Sequence, residues 1–205
     1  MTENLHWLGH ASFYAVSKKG TVVYFDPYQV KGGLPKADLI LITHDHFDHC
    51  SPADIERVSK LGTVLVGPAG IVGKAPGSVR VLAPGGKMTL EDVSVEAVPS
   101  YNLDKPFHPK ASGNLGYVAV LDGVRVYHAG DTDAIPEMKK LKVDVALLPI
   151  GGTYTMTAAQ AAEAANAMKP KVVVPMHYGS VVGSMELARE FQKLCKCEVR
   201  ILKPE

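Results

Sequence analysis

An apolar run, Leu39-Ile40-Leu41-Ile42, leads directly into Thr43-His44-Asp45-His46-Phe47-Asp48-His49, which carries four candidate ligands: His44, His46, Asp48 and His49. Imidazole nitrogen and carboxylate oxygen are the donors that hold a borderline divalent cation such as zinc. A loop at a strand end can turn alternate side chains inward, so His44 and His46 can share one ion while Asp48 and His49 face a second. Asp131, in His128-Ala129-Gly130-Asp131-Thr132, and His177, in Val174-Pro175-Met176-His177-Tyr178, sit in a similar context, just past a β-branched run. Alone, Asp131 reads as a turn residue and His177 as a half-buried histidine. Beside the first cluster both read as further ligands. Two cations roughly 3.5 to 4 Å apart can hold a water between them, lower its pKa toward neutrality and stabilise the oxyanion that forms as it attacks.

Short β-branched runs must position these residues. Thr21 to Phe25, Leu39 to Ile42, Val64 to Val66, Val79 to Leu82, Val93 to Val98, Tyr117 to Leu121, Val124 to Tyr127, Val145 to Leu148, Val172 to Val174 and Val199 to Leu202 are all strand-length, and most are bounded by Gly, Pro, Asp or Asn. Three helices have start chemistry. Ser51-Pro52 caps a segment to Lys60, and Thr157-Ala158-Ala159-Gln160 is a capping-box pattern before an Ala-rich run to Met168. Ser184 heads a third helix to about Leu194. Strands interleaved with few helices predict packed sheets with helices outside them, an α/β protein.

With 205 residues and 46% hydrophobic content, the chain is expected to form one domain, residues 1–205, with a sizeable core. A formal charge of +1 argues against a nucleic-acid or anionic-membrane footprint, so a small-molecule substrate is the expected partner. No run of about 18 apolar residues predicts membrane insertion, and the N-terminus has no leader-like apolar region. Cys50, Cys195 and Cys197 do not make a disulfide framework, and a cytoplasmic location is expected. Apolar edge strands and the Ala-rich helix leave a homo-oligomer open.

The chain resembles the metallo-β-lactamase superfamily of metal-dependent hydrolases. The likeness runs from Trp7-Leu8-Gly9-His10-Ala11-Ser12-Phe13 through Asp26, the His-x-His-x-Asp-His element, Gly130-Asp131-Thr132 and Met176-His177-Tyr178. It implies a four-layered αβ/βα sandwich of two mixed sheets flanked by helices. It also implies that His44 and His46 hold a first metal, that Asp48, His49 and His177 hold a second, and that Asp131 bridges them. Zinc is the expected ion, with Mn2+, Fe2+ or Ni2+ as alternatives set by supply and geometry. The implied activity is hydrolysis of an ester, lactone or phosphoester by a metal-activated hydroxide.

One position departs from the pattern. Where related hydrolases carry Pro-x-x-His, this chain has Pro99-Ser100-Tyr101-Asn102. His108 is the replacement we assign. The alternatives are the Asn102 amide oxygen or a first site with an open position, and a His108 that does not ligate would meet substrate as a proton donor. Asp26 resembles the acid that hydrogen-bonds a ligating imidazole and fixes its tautomer. Asp45 is either an outer acid or the proton acceptor. His10 reads as an outer partner or a substrate contact, and Tyr101, Lys105, His108, Tyr154 and Tyr178 as substrate contacts; His6 and His128 read as structural. The short stretch between Asp131 and His177 leaves no room for the extra domain of RNA-processing relatives. Flavodiiron reductases carry Glu where this chain has His46. The nearest likeness is to small metal-dependent hydrolases that also resemble ascorbate-6-phosphate lactonase and N-acyl-phosphatidylethanolamine phospholipase D. The competing class is a metal-binding or ligand-sensing module without turnover.

Overall fold

The computed structural model describes residues 2–205. Its first sheet runs in chain order: β1 (Leu5–Gly9), β2 (Ser12–Val16), β3 (Val22–Phe25), β4 (Leu39–Leu41), β5 (Val64–Gly67) and β6 (Val79–Val81). The second also runs in order, through β7 (Lys87–Leu90), β8 (Val93–Pro99), β9 (Leu115–Leu121), β10 (Val124–His128), β11 (Val145–Pro149), β12 (Val172–Met176) and β13 (Glu198–Val199). Each sheet begins with antiparallel hairpins and ends with parallel strands, β3 to β6 in one and β10 to β13 in the other. The helices are α1 (Pro52–Val58), α2 (Ala158–Met168) and α3 (Met185–Leu194).

Strand alternation explains the layering. In β4, Leu39 and Leu41 join Phe13, Val23 and Phe25 in the core shared with the second sheet. Ile40, in the same strand, joins Tyr14, Tyr24, Ile55 and Val58 in a separate core beneath α1. Both faces of β4 are covered, so an unbroken Leu-Ile run is what the fold requires. On the far side Ala161, Ala162, Ala165 and Phe191 bring α2 and α3 into the main core, giving the order helix, sheet, sheet, helices.

The expected capping box is present: Gln160 N–H donates to Thr157 Oγ1 at 3.2 Å and Thr157 N–H to Gln160 Oε1 at 2.9 Å. Ser184 precedes α3, but its side chain makes no cap bond. The sequence reading missed β1, β2 and β7. In β1 and β7 polar residues break the apolar run (Leu-His-Trp-Leu-Gly and Lys-Met-Thr-Leu), so a search for continuous β-branched stretches passes over them. The last expected strand, Val199 to Leu202, is shorter and earlier, because only Glu198 and Val199 pair with β12. No helix among the described residues is long and apolar enough to cross a membrane.

β1, β3, β4, β8, β10 and β12 all deliver their carboxyl ends to one rim, where open α/β sheets carry ligand sites. Bonds between the sheets clamp that rim: Leu115 N–H donates to Thr43 O at 2.9 Å, Tyr117 Oη to Ile42 O at 2.7 Å, and His177 N–H to His10 O at 2.9 Å. Gly130 lies in the clamp with φ +64°, and a Cβ there would fall 2.9 Å from Leu115 O and 3.0 Å from Thr43 Cβ. Gly130→Ala is therefore expected to cost about 2 to 4 kcal/mol from overpacking plus a left-handed backbone. Chemical denaturation of the purified variant would show it, and an unchanged midpoint would refute the close-approach account.

Candidate metal centre

Two histidines of the metal loop, His44 and His49, are held by their back nitrogens. Asp26, wholly buried at the end of β3, accepts from Thr43 N at 2.8 Å, from Thr43 Oγ1 at 2.7 Å and from His49 Nδ1 at 2.7 Å. Since the Thr43 hydroxyl hydrogen goes to Asp26, its oxygen accepts from His44 Nδ1, 2.9 Å away. One carboxylate and one hydroxyl thus fix a proton on each Nδ1 and turn both Nε2 atoms the other way.

His108 is held by the same logic. Asn102 Nδ2 donates to Tyr154 O at 3.0 Å, so Oδ1 is the end that faces His108 and accepts from its backbone N–H at 3.0 Å and its Nδ1 at 3.1 Å. His108 Nε2 is left facing His46 Nδ1 at 3.2 Å and Asp131 Oδ2 at 3.5 Å. The Asn102 amide is therefore engaged at the back of His108 and at Tyr154. Asn102→Ala is expected to weaken metal retention by about 10- to 100-fold, the usual cost of losing such an outer partner, in a competition titration with a chromogenic chelator.

Asp131 stands at the centre. Its Oδ1 is 3.4 Å from His49 Nε2, and its Oδ2 lies 3.0 Å from His177 Nε2 and 4.0 Å from His44 Nε2. Burial alone would raise its pKa, but the charges of His177 and His49 hold the carboxyl well below the usual carboxylate range. Burial, aided by His49, keeps His44 well below the ordinary histidine value, and burial lowers His108 against the pull of Asp131. Both are thereby held neutral, the form that ligates.

Candidate ligand atoms of His44, His46 and His108 lie within 4.8 Å of one another, as do those of His10, Asp48, His49 and His177, and those of His44, His49 and Asp131. His44 Nε2, His49 Nε2, His177 Nε2 and Asp131 Oδ1 are buried without a hydrogen-bond partner among the described residues. Orphaned polar atoms are costly and rare in native interiors, and several converging on one point fit a cation. Two of the contributors are conformationally unusual as well, with φ +50° at His10 and +60° at His177.

His10 Nε2 donates to Asp48 Oδ2 at 2.9 Å, which makes it an outer partner of the loop; it does not line the cavity above the cluster. Asp45 does line that cavity, but its carboxylate is paired with Lys74. Burial would raise the Asp45 pKa; the Lys74 hydrogen bond and charge overcome this and lower it.

Of the expected substrate contacts, the structure brings Tyr154 and His108 to the cavity and leaves three away from it. Tyr101 is buried, with its hydroxyl donating to Glu137 Oε2 at 3.0 Å. Lys105 is bound to Asp133 at 2.5 Å, and the Tyr178 ring packs on Trp7 with centroids 5.1 Å apart. All three expectations are corrected: the polar tips of Tyr101 and Lys105 are taken by Glu137 and Asp133, and Tyr178 is held through its ring. His128 is structural, donating from Nε2 to Ala11 O at 2.8 Å, and His6 stacks on Tyr14. Burial pushes the Cys50 thiol up to about 11. The sequence reading missed Thr43 as a relay and Phe47, Lys74, Phe107 and Val181 as cavity lining. Aromatic residues inside otherwise polar loops were the available signal for Phe47 and Phe107.

Residues 4–177 match the family described as Beta-lactamase superfamily domain. The chain is 37% identical to a UPF0173 metal-dependent hydrolase of Thermococcus onnurineus, covering 98% of this chain and 96% of the relative. It belongs to the UPF0173 metal-dependent hydrolases. A Koribacter versatilis member of that family is 34% identical over 97% of this chain and 94% of its own length. Among solved structures, Igni18, a metallo hydrolase from Ignicoccus hospitalis, superposes with a TM-score of 0.79 at 28% identity, covering 98% of this chain and 94% of that one. A Parabacteroides distasonis crystal structure gives 0.87 at 35% identity, covering 98% and 93%. For this hydrolase the metal dependence of the family thus coincides with a buried His/Asp cluster.

Proposed function

We propose that the chain is a single-domain, binuclear hydrolase that cleaves an ester, lactone or phosphoester bond of a small molecule in the cytoplasm. His44, His46 and His108 would hold one divalent cation, Asp48, His49 and His177 the other, and Asp131 would stand between them. Zinc is the ion that this imidazole-rich, thiolate-free donor set suits best. The observation that carries the reading is the set of buried, unpartnered atoms, with His44 and His49 held so that Nε2 faces the cluster. When bound, the cations supply a water of lowered pKa and electrostatic stabilisation of the oxyanion. The chain's residues do the rest. Asp26, Thr43 and Asn102 fix proton positions on His49, His44 and His108, and His10 orients the Asp48 carboxylate. Asp45, held ionised by Lys74, is a weak base at the cavity mouth. The three cysteines are free, which suits a reducing compartment.

Metal analysis of the purified chain before and after chelation, with a generic ester, lactone and phosphodiester panel, tests this. The expectation is two equivalents of metal, loss of hydrolysis on removal and recovery on adding zinc. One equivalent and no turnover on any panel member would instead favour a sensor.

A further inference from the structure

The cavity over the metal cluster has a volume of about 510 Å³, in the range of small-molecule sites. Its floor is polar: His46, Asp48, His108, Asp131 and His177. Its walls are not. Phe47, Phe107, Tyr154 and Val181 line it, and Phe47 and Val181 leave 67% and 46% of their surface exposed, an arrangement that needs a reason in polar loops. The walls are braced from behind, with Phe107 edge-on to Tyr154 at 4.7 Å between centroids and Phe47 edge-on to Tyr28 at 6.0 Å. Two of the wall residues are tied to the cluster by the chain itself, since Phe47 lies between His46 and Asp48 and Phe107 precedes His108.

The cations around the cavity are already engaged. Lys74 is the one lysine or arginine among its described lining residues, and Asp45 takes it. Lys105 is committed to Asp133 and Asp104, and Lys110 to Glu137 at 3.2 Å with its ammonium over the Tyr101 ring. No arginine fork or helix N-terminus is among the lining groups, so the described walls offer a phosphate no unpaired cation.

Building on the hydrolase reading, we propose that the substrate is a neutral carboxylic ester or lactone carrying an aryl or alkyl arm, with the arm seated between Phe47, Phe107, Tyr154 and Val181. Water adds through oxygen to the acyl carbon, the acyl C–O bond breaks, and the alkoxide takes a proton from that water, leaving a carboxylic acid and an alcohol. A lactone gives the hydroxy acid by the same step. Phosphate monoesters and diesters, although susceptible to the same nucleophile, are poor substrates because the one cation among the described lining residues, Lys74, is already paired with Asp45.

The test separates the pocket from the chemistry. The chain, metal-free and zinc-loaded, is titrated with 4-phenylbutanamide and with phenylphosphonate, and in parallel assayed on phenyl acetate, phenyl hexanoate and phenyl phosphate. Saturable amide binding in both forms, weakened about tenfold by Phe107→Ser or Val181→Ser with the fold intact by circular dichroism, supports the proposal. So does a preference for hexanoate over acetate that both variants lose. Tighter binding of the phosphonate than the amide to the metal-free chain, amide affinity indifferent to both substitutions, or faster cleavage of phenyl phosphate than of either carboxylic ester overturns it. In that last case the hydrolase reading stands. Amide binding as expected with no ester cleaved supports the apolar pocket and counts against the hydrolase reading.

Discussion

Asp131→Asn is expected to lower metal content below that of the parent chain and to reduce kcat/KM by about a thousand-fold or more on any ester the parent hydrolyses. The expectation follows from its position. One oxygen lies 3.4 Å from His49 Nε2, and the other is 3.0 Å from His177 Nε2 and 3.5 Å from His108 Nε2, so the carboxylate touches both groups of imidazoles at once. An amide of the same shape removes the negative charge that touches both and turns one acceptor into a donor aimed at nitrogens that must keep their lone pairs. A thousand-fold loss corresponds to about 4 kcal/mol of transition-state stabilisation, modest for a group proposed to hold two cations. Elemental analysis read with kcat/KM settles the matter. A folded Asn variant with two equivalents of metal and parental kcat/KM would remove Asp131 from the centre.

The legibility of this site depended on whether a residue's partner was close in sequence. His44, His46, Asp48 and His49 stand in one loop after a buried strand, and Asp26 ends the strand beside it, so types and spacing were informative. Packed sheets with helices outside them were legible in the residues, and the four-layer order only through the resemblance; the structure gives its reason, since Leu39 to Ile42, an apolar run without alternation, is covered on both faces. The Asn102 position was not decidable from sequence. Whether that amide faces the cluster or the back of His108 depends on where the Tyr154 carbonyl sits, 52 residues later. Tyr101, Lys105 and Tyr178 were misread because burial and pairing with Glu137, Asp133 and Trp7 are long-range facts. The exposed ring of Phe47 was hidden for the opposite reason: an aromatic residue between two candidate ligands reads as packing until its exposure is known.

Asp26 offers a prediction in which two substitutions must differ. Asp26, Thr43 and His49 are wholly buried, and the Asp26 carboxylate is the partner of Thr43 N, Thr43 Oγ1 and His49 Nδ1. Asp26→Ala strands all three donors and leaves the imidazole unpaired, which should cost about 3 to 5 kcal/mol of stability, as breaking a buried charged pair does. Asp26→Asn keeps the volume. Its backbone stays tolerable too, because Asn adopts the φ +44° found here more readily than most residues. Its carbonyl oxygen can still serve Thr43 N–H, but its amide hydrogens then point at His49 Nδ1 and press the imidazole to move its proton to Nε2, the atom turned toward the cluster. A smaller loss of stability than for Ala should therefore come with metal binding weaker by about 10- to 100-fold. The pair is read by chemical denaturation and by chelator competition. If Asn matched the parent in metal affinity while Ala alone was unstable, Asp26 would hold the rim together without setting the tautomer of His49.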